Sequence, residues 1–92
     1  MTKKEKHYLS ITNWLESNGW KITSYGHYEL ISNGSKYRMK FQKTSIRFEK
    51  HWKNEMGGKW YKIASDYVSK IFINDNNQLV IDKKVVNPDF GK

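Results

Sequence analysis

The dipeptide Asn33-Gly34, set between two runs that alternate in polarity, constrains this chain more than any other feature. A two-residue hairpin loop of type I′ needs positive φ at both central positions, which Asn and Gly tolerate and branched residues do not. With Ser32 and Ser35 flanking the turn, a register follows. Leu30 lies opposite Tyr37 and Tyr28 opposite Met39, while on the other face Ile31 meets Lys36, Glu29 meets Arg38 and His27 meets Lys40. A loop from Gln42 to Ser45 then pairs Phe41 with Ile46, Met39 with Phe48 and Lys40 with Arg47. Both turns put Tyr28, Leu30, Tyr37, Met39, Phe41, Ile46 and Phe48 on one surface, which an edge strand carrying Trp20 and Ile22 would extend. A slip of one residue would turn the whole set to solvent, so agreement between two separate turns argues strongly for this register.

Ahead of the sheet, Tyr8, Ile11 and Leu15 recur at spacings of three and four, flanked by Leu9 and Trp14, and Asn18-Gly19 supplies a helix stop. Beyond Gly57-Gly58, the residues Trp60, Ile63, Ala64, Tyr67, Val68 and Ile71 repeat in the pattern of one helix face, which predicts a second helix. The same segment is rich in β-formers. Strands there would set Ile71 and Ile73 against Leu79 and Ile81 across an Asp75-Asn76-Asn77 turn, and a helix ending near Ser69 followed by that hairpin lies between the two readings. The expected architecture is α+β: an antiparallel sheet of about four strands, with a C-terminal hairpin as an addition, and both helices packed on one face. With 92 residues, no repeat and no linker, the chain reads as a single domain, 1–92, whose segment from about 84 to 92, holding Asn87-Pro88-Asp89, is a flexible tail.

Composition narrows the function. There is no cysteine, so neither a disulfide framework nor a zinc ribbon supplements the core, and apolar packing must hold the fold. No apolar run approaches the length of a membrane span and the first residues open no secretory signal, which predicts a soluble cytoplasmic protein without a membrane partner. Lys, Asn and Ile are used heavily while Arg occurs only twice, a usage that suits an A+T-rich bacterial or phage genome. The net charge of +8 is a local one: Lys36, Arg38, Lys40, Lys43, Arg47, Lys50, Lys53, Lys59 and Lys62 face only Glu49 and Glu55 within their stretch, which alone carries +7. By strand parity Lys36, Arg38, Lys40 and Arg47 share the face turned away from the helices with His27, Glu29, Glu49 and His51. Lys43 sits on the loop at the sheet end, and Lys50 and Lys53 extend the ridge with Trp52 between them. A twisted sheet presenting such a row suits a polyanion. A one-sided sheet needs a polar face in any case, and Lys is a usual choice there. Lys40 directly opposite Arg47 is nevertheless a destabilising pair, a cost easier to understand if a ligand neutralises it. Tyr37, Phe41, Phe48, Trp60 and Tyr67 fit the core, whereas Trp14, Tyr25 and Trp52 have no place in it, and Trp52 among lysines suits stacking on an unpaired base.

Catalytic chemistry is hard to assemble. His7, His27 and His51 lie far apart in sequence without Cys or clustered carboxylates, so no metal site is expected; no phosphate-binding glycine loop or nucleophile triad is present, and no cofactor is expected. His27 and His51 do fall on one predicted face, where two histidines and nearby cations could in principle cleave RNA by acid–base catalysis. The stretch Ile11-Thr12-Asn13-Trp14-Leu15-Glu16-Ser17-Asn18-Gly19-Trp20-Lys21-Ile22, followed by Gly26-His27-Tyr28, resembles the amino-terminal half of HicA-type toxins. In that family a helix ends in an Asn-Gly-Trp-like turn and a strand presents a Gly-Ser-His element; here Gly26 and His27 are adjacent. The likeness covers roughly a third of the chain and implies a small basic α+β domain of the double-stranded-RNA-binding type, an mRNA interferase with His27 as its catalytic residue.

The leading expectation is a non-enzymatic nucleic-acid-binding protein of phage or mobile-element type, contacting DNA or RNA phosphates through Lys36, Arg38, Lys40, Lys43, Arg47, Lys50 and Lys53, with Trp52 stacking. Two other readings stand beside it: an RNA-cleaving toxin using His27, and an inhibitor that docks its basic face on an acidic protein partner. The oligomeric state is open, since an exposed strand edge could pair two copies.

Overall fold

The computed structural model describes residues 2–32, 34–54 and 57–86. Helix α1 (Lys3–Ser17) leads into a five-stranded antiparallel sheet whose spatial order is the chain order: β1 (Lys21–Ile22), β2 (Tyr28–Ser32), β3 (Ser35–Phe41), β4 (Ser45–Asn54) and β5 (Gly57–Tyr67). A 3₁₀ turn (Val68–Lys70) then connects to a second sheet of β6 (Phe72–Ile73), β7 (Leu79–Ile81) and β8 (Lys84–Val85).

Local chemistry sets both ends of α1. The Thr2 hydroxyl accepts the Glu5 N–H and donates to the Glu5 carboxylate, each at 3.2 Å, with the Thr-x-x-Glu spacing of a capping box. At the other end Gly19 takes φ +88°, which lets its N–H reach the Glu16 carbonyl and the Trp20 N–H reach the Leu15 carbonyl at 3.0 Å, and the chain leaves with Trp20 buried. The buried helix residues are Ile11, Thr12, Trp14 and Leu15. Trp14, which the sequence pattern left outside the core, is therefore inside it, and its indole N–H donates to the Asn77 carbonyl at 2.9 Å, tying helix to second sheet.

The two hairpins have the predicted register, with Tyr28 opposite Met39, Leu30 opposite Tyr37, Met39 opposite Phe48 and Phe41 opposite Ile46; β2 begins at Tyr28, so the pairing expected of His27 with Lys40 falls outside the strand. One parity of the large sheet (Tyr28, Tyr37, Met39, Ile46, Phe48, Ala64) forms a single core with α1 and with Ile71, Leu79, Ile81 and Val86 of the C-terminal region. The fold is α+β, with the core on one side of the large sheet.

The second predicted helix is not formed; its residues make β5 and the 3₁₀ turn. The reason is a β-bulge. Phe48 pairs with Ala64 but Glu49 pairs with Lys62, leaving Ile63 as the extra residue. Across the bulge the inward parity switches from odd to even residues, so the period-two signal cancels along the segment and a helix-like spacing is left by accident. The hairpin alternative for the following residues is the one observed, with Ile73 opposite Leu79 and Phe72 opposite Val80. Trp60 and Tyr67, expected in the core as helix residues, are not core residues, and Tyr67 is exposed. Lys84 and Val85 of the segment read as a tail form β8, and Val86 is buried; residues 87–92 lie outside the described residues.

Candidate nucleic-acid interface

Strand parity delivers the opposite face of the large sheet without any core residue. It carries Lys36, Arg38 and Lys40 from β3, Arg47, Glu49 and His51 from β4, and Trp60 and Lys62 from β5, with Glu29 on β2. At its centre Glu49 is 3% exposed, although it lies on the outer side of the sheet. Arg38, directly opposite it, donates from Nε at 2.9 Å and from Nη2 at 2.6 Å to Oε1. Arg47, two residues back along β4, brings its Nε to 3.0 Å from Oε2, close enough for an ion pair although the N–H is not aligned for a hydrogen bond. The Arg38 guanidinium lies 4.1 Å from the centre of the Trp60 ring, and His51 meets the same indole edge-on at 5.0 Å. Gly58 makes room for this stack: a Cβ there would run into the His51 ring. Charge, cation–π contact and close backbone approach thus assemble one ordered cluster on an otherwise open surface.

Around that cluster the cations differ. Lys36 pairs with Glu29 at 3.3 Å. Lys40 faces Arg47 directly, and among the described residues neither Lys40 nor Lys62 has an acidic partner. The surface is therefore partly neutralised from within, which sequence reasoning missed by counting Glu49 only as one opposing charge. Its pairing with Arg38 was implicit in the register. Trp60 and Lys62 were missed because the segment was read as helix.

Other expected site residues lie elsewhere. Lys43 is exposed on the β3–β4 loop, at the sheet end. Lys53 takes a β4 position paired with Gly58. Lys50 and Trp52 are on the opposite face from the ridge they were expected to extend. Lys50 pairs with Tyr37, is 9% exposed, and holds its ammonium 4.2 Å from the Trp52 ring centre and 5.7 Å from that of Tyr37. Trp52 itself is 49% exposed. The signal was available, since residues 46, 48, 50 and 52 share a parity in an unbroken strand.

The histidines do not form a catalytic pair. His27 precedes β2 at one end of the face, and its Nδ1 accepts the Phe41 N–H at 3.0 Å, so the neutral ring carries its proton on Nε2. Burial, followed by the charges of Arg38 and Lys40, pushes its pKa below 6.5, against a smaller opposing pull from Glu49 and Glu29. His51 pairs with Lys36, four residues along β3 from Lys40, a separation of about 13 Å at the rise of a strand. His7 is engaged elsewhere, its Nε2 lying 2.9 Å from the Val68 carbonyl. Among the described residues no three His, Asp or Glu groups cluster as metal ligands would, and no helix is long and apolar enough to cross a membrane.

Compared with protein families, with curated proteins and with solved structures, the chain matches none.

Proposed function

We propose that this protein binds nucleic acid through the open sheet face, contacting phosphates and not base edges. The observation that carries the proposal is the pairing of Lys40 with Arg47 on a face that also presents Lys62 and a fixed Arg38. Like charges directly opposed in a sheet destabilise it by about 0.2–1 kcal/mol, and a phosphate placed between them reverses the sign of that interaction. Arg38 is held in place by Glu49 and Trp60 before any ligand arrives, so little side-chain entropy is lost when its outer N–H groups meet an anion. Such contacts recognise phosphate spacing and leave base sequence unread. In this reading Lys36, Lys40, Arg47 and Lys62 surround Arg38 as the contact set. Lys43 lies at its margin, and Lys50 with Trp52 stands apart on the reverse side.

Fluorescence anisotropy with labelled single- and double-stranded DNA and RNA tests the proposal. Neutralising about four phosphates predicts a loss of affinity on the order of 100-fold between about 50 and 200 mM salt. The double variant Lys40→Glu/Arg47→Glu should lose binding to all four probes. No binding at the lower salt, or unchanged binding by the double variant, would sink the proposal.

A further inference from the structure

A second surface of different chemistry lies at the sheet end away from Gly34. The first turns of α1, the β3–β4 loop and the 3₁₀ turn enclose a half-open groove of about 730 Å³. Its apolar lining comes from Tyr8 and Leu9 of α1 and from Tyr67 and Val68. Tyr8, Leu9 and Tyr67 are large side chains left 45%, 43% and 58% exposed, although α1 has buried its other face completely at Ile11 and Leu15. Apolar side chains gathered around a concavity and left uncovered mark a binding surface more often than isolated exposed ones do. The volume falls in the range of small-molecule sites.

Charge narrows the occupant. Lys4 of α1 and Lys43 of the β3–β4 loop both line the groove, and outside the lining Lys70 sits 5.7 Å from the ring of the lining residue Tyr67. The single acid in the lining, Glu5, is held by the Thr2 cap. His7 is engaged with the Val68 carbonyl, which pins α1 to the 3₁₀ turn and keeps the two walls at a fixed separation. A second copy of a chain of net charge +8 would bring like charge to this rim.

We propose that the groove binds an anionic amphiphile of the single-chain carboxylate class. Its apolar chain lies against Tyr8, Leu9 and Val68, and its carboxylate turns to the Lys4 and Lys43 ammonium groups. This site rests on α1, the β3–β4 loop and the 3₁₀ turn, and shares with the proposed nucleic-acid interface only the marginal Lys43.

Isothermal titration of the full chain with dodecanoate, kept below its micelle concentration, tests the inference, with dodecylammonium as the opposite-charge control. The expected result is saturable binding of one dodecanoate per chain, with dodecylammonium binding at least about ten-fold more weakly. Leu9→Glu should abolish it and Lys43→Glu should weaken it about ten-fold, while Arg47→Glu, on the open face, leaves it unchanged. Circular dichroism of each variant confirms that the fold is kept, and Leu9 and Lys43 are exposed enough for that. Absence of dodecanoate binding, equal binding of both amphiphiles, or full binding by Leu9→Glu overturns the proposal. None of these outcomes bears on nucleic-acid affinity, which Arg47→Glu reports separately.

Discussion

The two faces of the large sheet are built from the same strands and reach low exposure by opposite means. Phe48 and Glu49 are neighbours in β4, exposed to 1% and 3%. Phe48 is covered by apolar matter: the Tyr37 ring stacks on it with centres 5.9 Å apart, and Trp20 meets it at 6.1 Å. Glu49 is covered by charge and by an indole, with Arg38 and Arg47 on its oxygens and Trp60 stacked on Arg38. Burial on the first face follows from contact area and has little directionality. On the second it depends on partners at fixed angles, and its members become a liability if one is removed. The first face explains why the chain folds; the second is where a ligand could change the balance of charges.

Deleting the Phe48 ring should produce the largest effect. Phe48→Ala is expected to cost about 3–5 kcal/mol, a large part of the 5–15 kcal/mol available to a domain. Urea denaturation followed by circular dichroism reads this directly, and a loss below about 1 kcal/mol would show that the apolar face tolerates a cavity better than its packing implies. Glu49→Ala tests the other face at the adjacent residue. It leaves two guanidinium groups facing each other without their carboxylate, and the expected loss is about 2 kcal/mol, discounted because Arg47 retains water contact. The two losses should part company in salt. Repulsion between Arg38 and Arg47 is screened, so the Glu49→Ala penalty shrinks near 1 M salt, whereas that of Phe48→Ala does not. Equal salt responses would erase the distinction drawn between the faces.

What the sequence made legible follows the same division. In β2, β3 and β4 no extra residue shifts the parity, so the Asn33-Gly34 signal and the Gln42–Ser45 loop together carried the register across three strands and assigned both faces. In β5 the bulge at Ile63 interrupts alternation after six residues, and no local residue type announces it. That one extra residue converted a strand into an apparent helix and hid Trp60 and Lys62 from the candidate site. Lys50 was misplaced for another reason: its charge was allowed to outweigh its parity, although its side chain lies across aromatic rings on the apolar side. The groove beside α1 was illegible because it depends on how far Tyr8 and Leu9 fall short of the core, a tertiary outcome.

Lys40 offers a smaller and more discriminating test, because stability and binding should move in opposite directions. Lys40→Glu places an acid opposite Arg47, replacing repulsion by attraction, and should stabilise the free protein by about 0.2–1 kcal/mol. The same substitution should weaken oligonucleotide binding in the anisotropy assay. A variant that is less stable, or more stable with unchanged affinity, would mean that the Lys40–Arg47 pair is not held for a ligand.

His27 carries the smallest expected effect and joins the two faces at their edge. The folded state prefers its neutral form, since burial comes first among the causes that lower its pKa and Arg38 and Lys40 add to it. Above about pH 6.5 the unfolded chain also holds this histidine neutral, so its contribution to stability is fully present there. As the pH falls below that value the unfolded chain takes up a proton that the folded chain resists, and stability declines until the folded ring is protonated as well. Protonation at Nδ1 also removes the acceptor for the Phe41 N–H. His27→Asn removes the titration while placing an amide oxygen at the position of Nδ1, where it can accept that N–H. Urea midpoints measured from about pH 7.5 to pH 5 should therefore fall less steeply for His27→Asn than for the parent chain. Because the two proteins differ at this side chain alone, the difference between the slopes isolates His27, and parallel slopes would show that burial and the Arg38 and Lys40 charges do not bias the ring toward its neutral form.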